Sequence, residues 1–276
     1  MYVGGEWIDA GSGDYFESDN PYLGEPWALI PRGTAADVDR AVRAAHTAFT
    51  SGEWPRLTAS KRGALLRRLG DLIIEKSAEL AEIEVRDNGK LYAETSAQSA
   101  YMAQWYHYYG GLADKIEGSV LPTDKPDTFN YTRYEPLGVV VAITPWNSPL
   151  MLTAWKLAPA LAAGNTIVIK PSEFTSVSTL EFVKLVEEAG FPAGVVNVVT
   201  GYGKEVGMPL VEHPLTRKIA FTGSDATGRI INETAARNFK KVGLELGKVE
   251  VAVRIDQRAW PRAGHLPVSR GTSSRA

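Results

Sequence analysis

The rhythm of hydrophobic and polar positions changes twice along this chain. Residues 1–33 are rich in Gly, Pro and aromatics and read as short strands and turns lying against a larger body. Thr34 then stands as an N-cap, and Val38, Ala41, Val42, Ala45 and Phe49 follow at helical spacing. A second helix is expected from near Ser60 through Lys90, with Gly89 as its C-terminal stop. A third carries Tyr101, Met102, Trp105, Tyr106 and Tyr109 and ends before Gly110-Gly111. The front third is therefore helical and amphipathic.

From residue 136 the apolar residues come in continuous runs. VVVAI and TIVIK do not alternate, which is the pattern of parallel strands buried on both faces. Two further strands fit 195–200 and 218–223, and helices are expected over 150–163, 176–189, 203–211 and 225–238. Strand and helix in alternation spell an α/β class fold, a doubly wound, Rossmann-like sheet behind the N-terminal helical part. The segment 118–137 carries Pro and polar residues and reads as an extended arm. Residues 249–276 hold five Arg, no Lys and two acids. Val249, Val251, Val253 and Ile255 alternate like a strand, and past Arg258 the periodicity ends, so disorder or loose packing is expected there.

The length of 276 residues suffices for one large domain or two small ones. At 44% hydrophobic and 22% charged the composition is that of an ordinary soluble protein. The net charge of −2 gives no reason to expect nucleic acid as a partner. Apolar stretches are cut by Lys156, Pro159 or Lys170 before reaching bilayer length, and the start lacks a signal-peptide pattern, so no membrane partner and a cytoplasmic location are expected. There is no cysteine, hence no disulfide and no thiolate metal site. His46, His107, His213 and His265 lack metal-ligand spacing, so no metal is expected; His107, within an aromatic helix, reads as a packed or surface residue.

Five short motifs lie where chemistry gathers in such sheets. Thr144-Pro145-Trp146-Asn147 ends an apolar strand, and Asn147 offers a short NH₂ donor able to hold an oxyanion. The plain alternative is a turn Asn beside a core Trp. Lys170-Pro171-Ser172-Glu173 ends the next strand. Its ammonium and carboxylate can reach one ribose, or the pair is a solvated Lys and a first-turn Glu. Gly201-x-Gly203-x-x-x-Gly207 is one residue longer than the usual dinucleotide fingerprint, and such glycines also serve plain turns. Phe221-Thr222-Gly223-Ser224 ends a fourth strand. There Ser224 is either part of an anion site at a helix N-terminus or a simple N-cap. Gly243-Leu244-Glu245-Leu246-Gly247-Lys248 presents Glu245 either as a general base or as a surface charge on a strand.

In this order the five motifs, with Gly4-Gly5-Glu6-Trp7 and Asp87-Asn88-Gly89-Lys90, resemble the NAD(P)-dependent aldehyde dehydrogenase family from the start to about Lys248. The resemblance implies an oxidoreductase that converts an aldehyde to a carboxylic acid. It assigns Asn147 as oxyanion donor and Glu245 as the base that activates the hydrolytic water. It places Thr144, Pro145, Trp146, Lys170, Ser172, Glu173, Gly203, Gly207, Phe221, Thr222, Gly223, Ser224 and Leu246 about the cofactor. A carboxylate at Glu173 opposes a 2′-phosphate, so NAD is expected over NADP. Small aldehydes are the implied substrates of complete members, which are homo-oligomers built partly through an arm matching 118–137. The family usually has Phe where Ser148 stands, and a second Gly where Lys248 stands.

The family's nucleophile is a cysteine in a second α/β domain, absent from this sequence. Sulfur supplies both a strong nucleophile and a hydrolysable acyl intermediate. The expectation is therefore a cofactor-binding part spanning 1–248 with a non-family tail over 249–276, inactive alone. It is read as a truncated, frame-shifted or fused product, or as a non-catalytic NAD-binding fragment.

Overall fold

The computed structural model describes residues 1–247; the strand-like alternation expected at 249–255 and the expected tail disorder lie outside the described residues. Four short strands open the chain: β1 (Tyr2–Val3), β2 (Glu6–Trp7), β3 (Tyr15–Asn20) and β4 (Glu25–Pro31). Then come α1 (Ala35–Thr50), a 3₁₀ turn at Trp54–Arg56, α2 (Ala59–Glu75), α3 (Ser77–Asn88) and α4 (Tyr92–Leu112). The helix expected from Ser60 through Lys90 is in fact two. Lys76 leaves helical geometry at φ −106° and ψ 11°, and Ser77 Oγ donates to the Ile74 carbonyl at 3.0 Å. That side-chain bond competes with the backbone ladder, and the break lets α3 turn to pack on α4 and a later helix. Gly89 does end α3, in the left-handed region at φ 74°. Gly110-Gly111 does not end the third helix, which runs on to Leu112. Gly110 serves close packing, since a Cβ there would lie 2.8 Å from the Gly63 carbonyl oxygen of α2.

The two-stranded ribbon β5 (Val120–Leu121) and β6 (Asn130–Tyr131) forms the 118–137 excursion, fully exposed. The α/β part follows: β7 (Val139–Ile143), α5 (Pro149–Ala162), β8 (Thr166–Lys170), α6 (Ser176–Glu188) and β9 (Val196–Val198). A π turn at Gly203–Gly207 leads into α7 (Met208–Glu212), then β10 (Thr216–Gly223), α8 (Asp225–Ala236) and β11 (Lys241–Leu246). Elements and expectations thus differ at their ends by a few residues, with the helix expected at 203–211 opening as a π turn.

Among the described residues the main sheet has the order β11-β10-β7-β8-β9-β1-β2. The five α/β strands are parallel, and β1 adds antiparallel to β9 through Tyr2 and Val198. The chain fills the sheet outward from β7 to β9, then returns to place β10 on β7's other side. That reversal between β7 and β10 is a topological switch point, where a crevice opens at the carboxyl ends of the strands. Helices cover both faces. Val139, Val141 and Ile143 pack with α1 residues Val38, Ala41 and Val42. Val140 and Ala142 pack with Leu150, Leu157 and Phe182 from α5 and α6. Both faces being buried, the strands carry apolar residues without alternation.

Candidate active site

The crevice at the switch point, at the carboxyl ends of the strands, has a volume of ≈ 360 Å³. Its walls are Thr144, Pro145 and Trp146 after β7, Lys170, Ser172 and Glu173 after β8, Gly203 and Gly207 in the π turn, and Phe221, Thr222, Gly223 and Ser224 at β10. These are twelve of the thirteen cofactor residues expected from sequence. Each stands where a strand stops, because there the backbone leaves the ladder and side chains turn upward together.

Within the cleft, Lys170 is only 4% exposed along its side chain, and its Nζ donates to the Pro171 carbonyl at 2.8 Å and to Glu173 Oε2 at 3.3 Å. Burial holds the Lys170 ammonium below its ordinary pKa against the pull of Glu173. Ser172 shapes the turn rather than the cleft floor: its Oγ accepts from Phe174 N at 3.3 Å and its carbonyl accepts from Ser176 Oγ at 2.9 Å. Thr144 N is tied to the Lys170 carbonyl at 3.1 Å, yet its buried Oγ1 has no hydrogen-bond partner among the described residues. A buried hydroxyl left unpaired costs about 1–3 kcal/mol, and a ligand in the cleft would satisfy it. Gly203 has open space where a Cβ would stand. Ser224 is the N-cap of α8, its Oγ accepting from Thr227 N at 3.3 Å. The cap and the cleft wall are one residue. These donors, one carboxylate and a cleft at a helix N-terminus suit a ribose and its phosphates.

Leu246 lies elsewhere. It packs behind the cleft against α8, where a Cβ on Gly228 would meet Leu246 Cδ2 at 2.5 Å. Asn147 is exposed on the turn past Trp146 and lines neither this cleft nor the one described next. Its carbonyl accepts from Asn88 Nδ2 at 3.4 Å, and Lys90 Nζ donates to Ser148 Oγ at 3.0 Å and to Gln98 Oε1 at 2.8 Å. The loop between α3 and α4 therefore seats the turn that carries Asn147. Ser148 joins that seat through its hydroxyl.

Glu245 sits on β11 over the opposite face of the sheet, in a second cleft of ≈ 440 Å³ with Trp155, Lys156 and Lys218. Its Oε2 accepts from Lys156 Nζ at 3.1 Å and from Thr222 Oγ1 at 2.6 Å, and Lys156 Nζ also reaches Thr222 Oγ1 at 2.6 Å. Lys156 is 3% exposed along its side chain. Burial pushes the Glu245 carboxyl up, but the bonds from Thr222 and Lys156 and the lysine's charge outweigh it and hold the group below its ordinary pKa. Burial likewise lowers the Lys156 ammonium against the pull of Glu245. A paired carboxylate of low pKa is a weak base, so Glu245 must part from Lys156 to take a proton. Sequence reading gave no site role to Lys156 or Gln98, and took Lys90 only as part of the Asp87-Asn88-Gly89-Lys90 helix end. Only Lys156 left a signal, a charge inside an otherwise apolar helix.

Among the described residues no three His, Asp or Glu gather as a metal site, and no helix is long and apolar enough to cross a membrane. His213 Nε2 pairs with Asp39 Oδ1 at 3.1 Å, and His107 Nε2 with Asp71 Oδ1 at 3.0 Å.

A mostly parallel sheet covered by helices on both faces, with a cleft at its switch point, defines a Rossmann-like α/β fold. The sequence model of the aldehyde dehydrogenase family matches residues 7–257, and the chain belongs to that family. It is 51% identical over 247 residues to (Z)-2-((N-methylformamido)methylene)-5-hydroxybutyrolactone dehydrogenase of Acinetobacter baylyi, covering 90% of this chain and 50% of that protein. It is 48% identical over 249 residues to hydroxyisobutyraldehyde dehydrogenase of Mycolicibacterium austroafricanum, covering 90% and 48%. The solved structure of Staphylococcus aureus betaine aldehyde dehydrogenase in complex with NAD+ superposes with a TM-score of 0.87 at 41% identity, covering 89% of this chain and 49% of that one. The chain spans about half the length of the curated relatives it matches.

Proposed function

We propose that this chain is the NAD-binding half of an aldehyde dehydrogenase and that its 276 residues bind NAD without oxidising an aldehyde. The observation that carries the reading is the buried Lys170 paired to Glu173 beside the unpartnered Thr144 hydroxyl, in a cleft at the switch point. Lys170 donates to ribose hydroxyls, and Glu173 accepts from the 2′-OH and opposes a 2′-phosphate, favouring NAD over NADP. NAD, when bound, supplies the acceptor for a hydride leaving an aldehyde adduct. In a complete enzyme that also supplied the nucleophile, Asn147 would offer its side-chain NH₂ to the oxygen of that adduct. There Glu245, once released from Lys156, would take a proton from the water that frees the acid. The thiolate that must add to the carbonyl is not among these residues, since the sequence has no cysteine. The exposed ribbon, with Val120, Phe129 and Tyr134 each about 70% open to solvent, supports self-association through residues 118–137.

Calorimetric titration checks this. The purified chain should bind NAD with a Kd of about 1 mM or tighter, and Lys170→Met should weaken binding about tenfold. Adding an aldehyde should yield no NADH. Silence in the calorimeter up to millimolar NAD, or NADH formed in step with aldehyde consumed, would defeat the proposal.

A further inference from the structure

The π turn that walls the cleft is braced from outside the nucleotide-binding strands and helices. Arg32, in the linker between β4 and α1, faces Glu205 in the middle of that turn. Its Nε donates to Glu205 Oε2 at 2.9 Å and its Nη2 to Oε1 at 2.5 Å, a two-pronged pair. The same guanidinium lies 5.1 Å from the centre of the Tyr202 ring, one residue before the turn. Tyr202 in turn packs on Phe16 of β3 at 5.3 Å. Two backbone ties flank the pair: Gly33 N donates to the Thr200 carbonyl at 3.0 Å, and Thr200 Oγ1 donates to the Pro31 carbonyl at 2.6 Å. A Cβ on Gly33 would stand 2.5 Å from the Thr200 oxygen, so linker and loop touch backbone to backbone.

Neither Arg32 nor Glu205 lines the cleft, but Gly203 and Gly207, on either side of Glu205, both do. A π turn is a strained, widened helical turn that holds its shape only when its surroundings fix it. Its internal support here is sparse, with Val206 N bonded to the Tyr202 carbonyl and Met208 N to that of Gly203. The fork of Arg32 supplies the support from the other side.

We propose that Arg32 and Glu205 are positioning residues for the cofactor, a latch by which the N-terminal linker sets the Gly203–Gly207 wall. The proposal rests on the NAD-binding reading above. Exposed pairs contribute modestly, so the effect is on the geometry of the wall and not on whether the chain folds.

The test is NAD titration of the whole chain with Arg32→Glu, Glu205→Arg, the double exchange, and Arg40→Gln as a control for lost surface charge. Each single reversal should raise the NAD Kd about fivefold while the thermal midpoint stays within about 2 °C of the parent. The double exchange should restore most of the affinity, because the pair is re-formed in the opposite sense. Arg40→Gln, which removes the Arg40–Glu6 surface pair, should leave Kd unchanged. Parent protein that binds NAD while both reversals bind equally well overturns the latch alone. Losses that add up in the double exchange, or that match a fall in the thermal midpoint, overturn it too. Parent protein that fails to bind overturns the latch together with the reading beneath it.

Discussion

At the scale of single residues, the strand-end motifs were readable because their neighbours in sequence are also their neighbours in space. Lys170 and Glu173 are three apart and meet within one turn. Lys156 was not readable, since its partners Thr222 and Glu245 lie 66 and 89 residues away and only the closed sheet brings them together. Thr222 is the hinge of that group. Its single hydroxyl can donate to Glu245 while accepting from the Lys156 ammonium, both at 2.6 Å. Thr222→Val keeps the shape and removes both bonds. We expect stability to fall by about 1–2 kcal/mol in urea unfolding, mostly through Lys156, whose buried charge keeps only the half-exposed Glu245. The Glu245 carboxyl should also titrate at a higher pH by NMR, having lost its shortest donor. Unchanged stability with an unchanged titration would show that the hydroxyl is not what holds the carboxylate.

At the scale of elements, binary pattern located the helices and strands but not the breaks within them. The run from Ser60 to Lys90 keeps helical spacing across Lys76, so nothing in its periodicity marks a stop. The direction of α3 is set by Asp87 near its end. Asp87 Oδ2 accepts both Ser178 N and Ser178 Oγ at 2.8 Å, tying α3 to the first turn of α6. Glycine misled in the same way: Gly110-Gly111 reads as a stop, yet the use of Gly110 is to let α4 approach α2. Two opposed effects meet at Gly63, within α2. Gly63→Ala gains about 1 kcal/mol of helix propensity. It also drives a Cβ to 2.3 Å from the Gly110 carbonyl oxygen, on backbone that cannot swing aside. Overpacking of that kind costs about 1–3 kcal/mol or more, and the loss should win. Urea unfolding should show a net fall of about 1–2 kcal/mol, and a rise in the midpoint would mean that the two helices do not approach this closely.

At the scale of the whole molecule, the helical front and the α/β part are joined through buried acids, and their cost should appear in the pH dependence of folding. Ser18 of β3 and Ser178 of α6 both reach Asp87 of α3, so three segments far apart in sequence share one carboxyl. Burial pushes Asp87 up to about 6, against the bonds from Ser178 and Ser18 that favour its charged form. One turn earlier Glu84 is 1% exposed, and burial pushes it up to about 7, with Lys90 and Asn88 opposing and Asp87 adding to the rise. An acid whose folded pKa is raised binds more protons in the native state than in the unfolded state over the interval between the two values. Its favourable contribution is complete below the unfolded pKa near 4 and is lost as pH climbs through about 7. Glu84→Gln removes the titrating group while keeping its size and the neutral form's hydrogen-bonding capacity. The variant should match the parent at about pH 4 and exceed it by about 1–2 kcal/mol at about pH 8, flattening the decline between. Urea midpoints collected across that range decide it: a gain of the same size at both ends would assign the effect to something other than the buried charge, and a loss at the alkaline end would mean that the Glu84 carboxylate, paired with Lys90, is a net support of the fold.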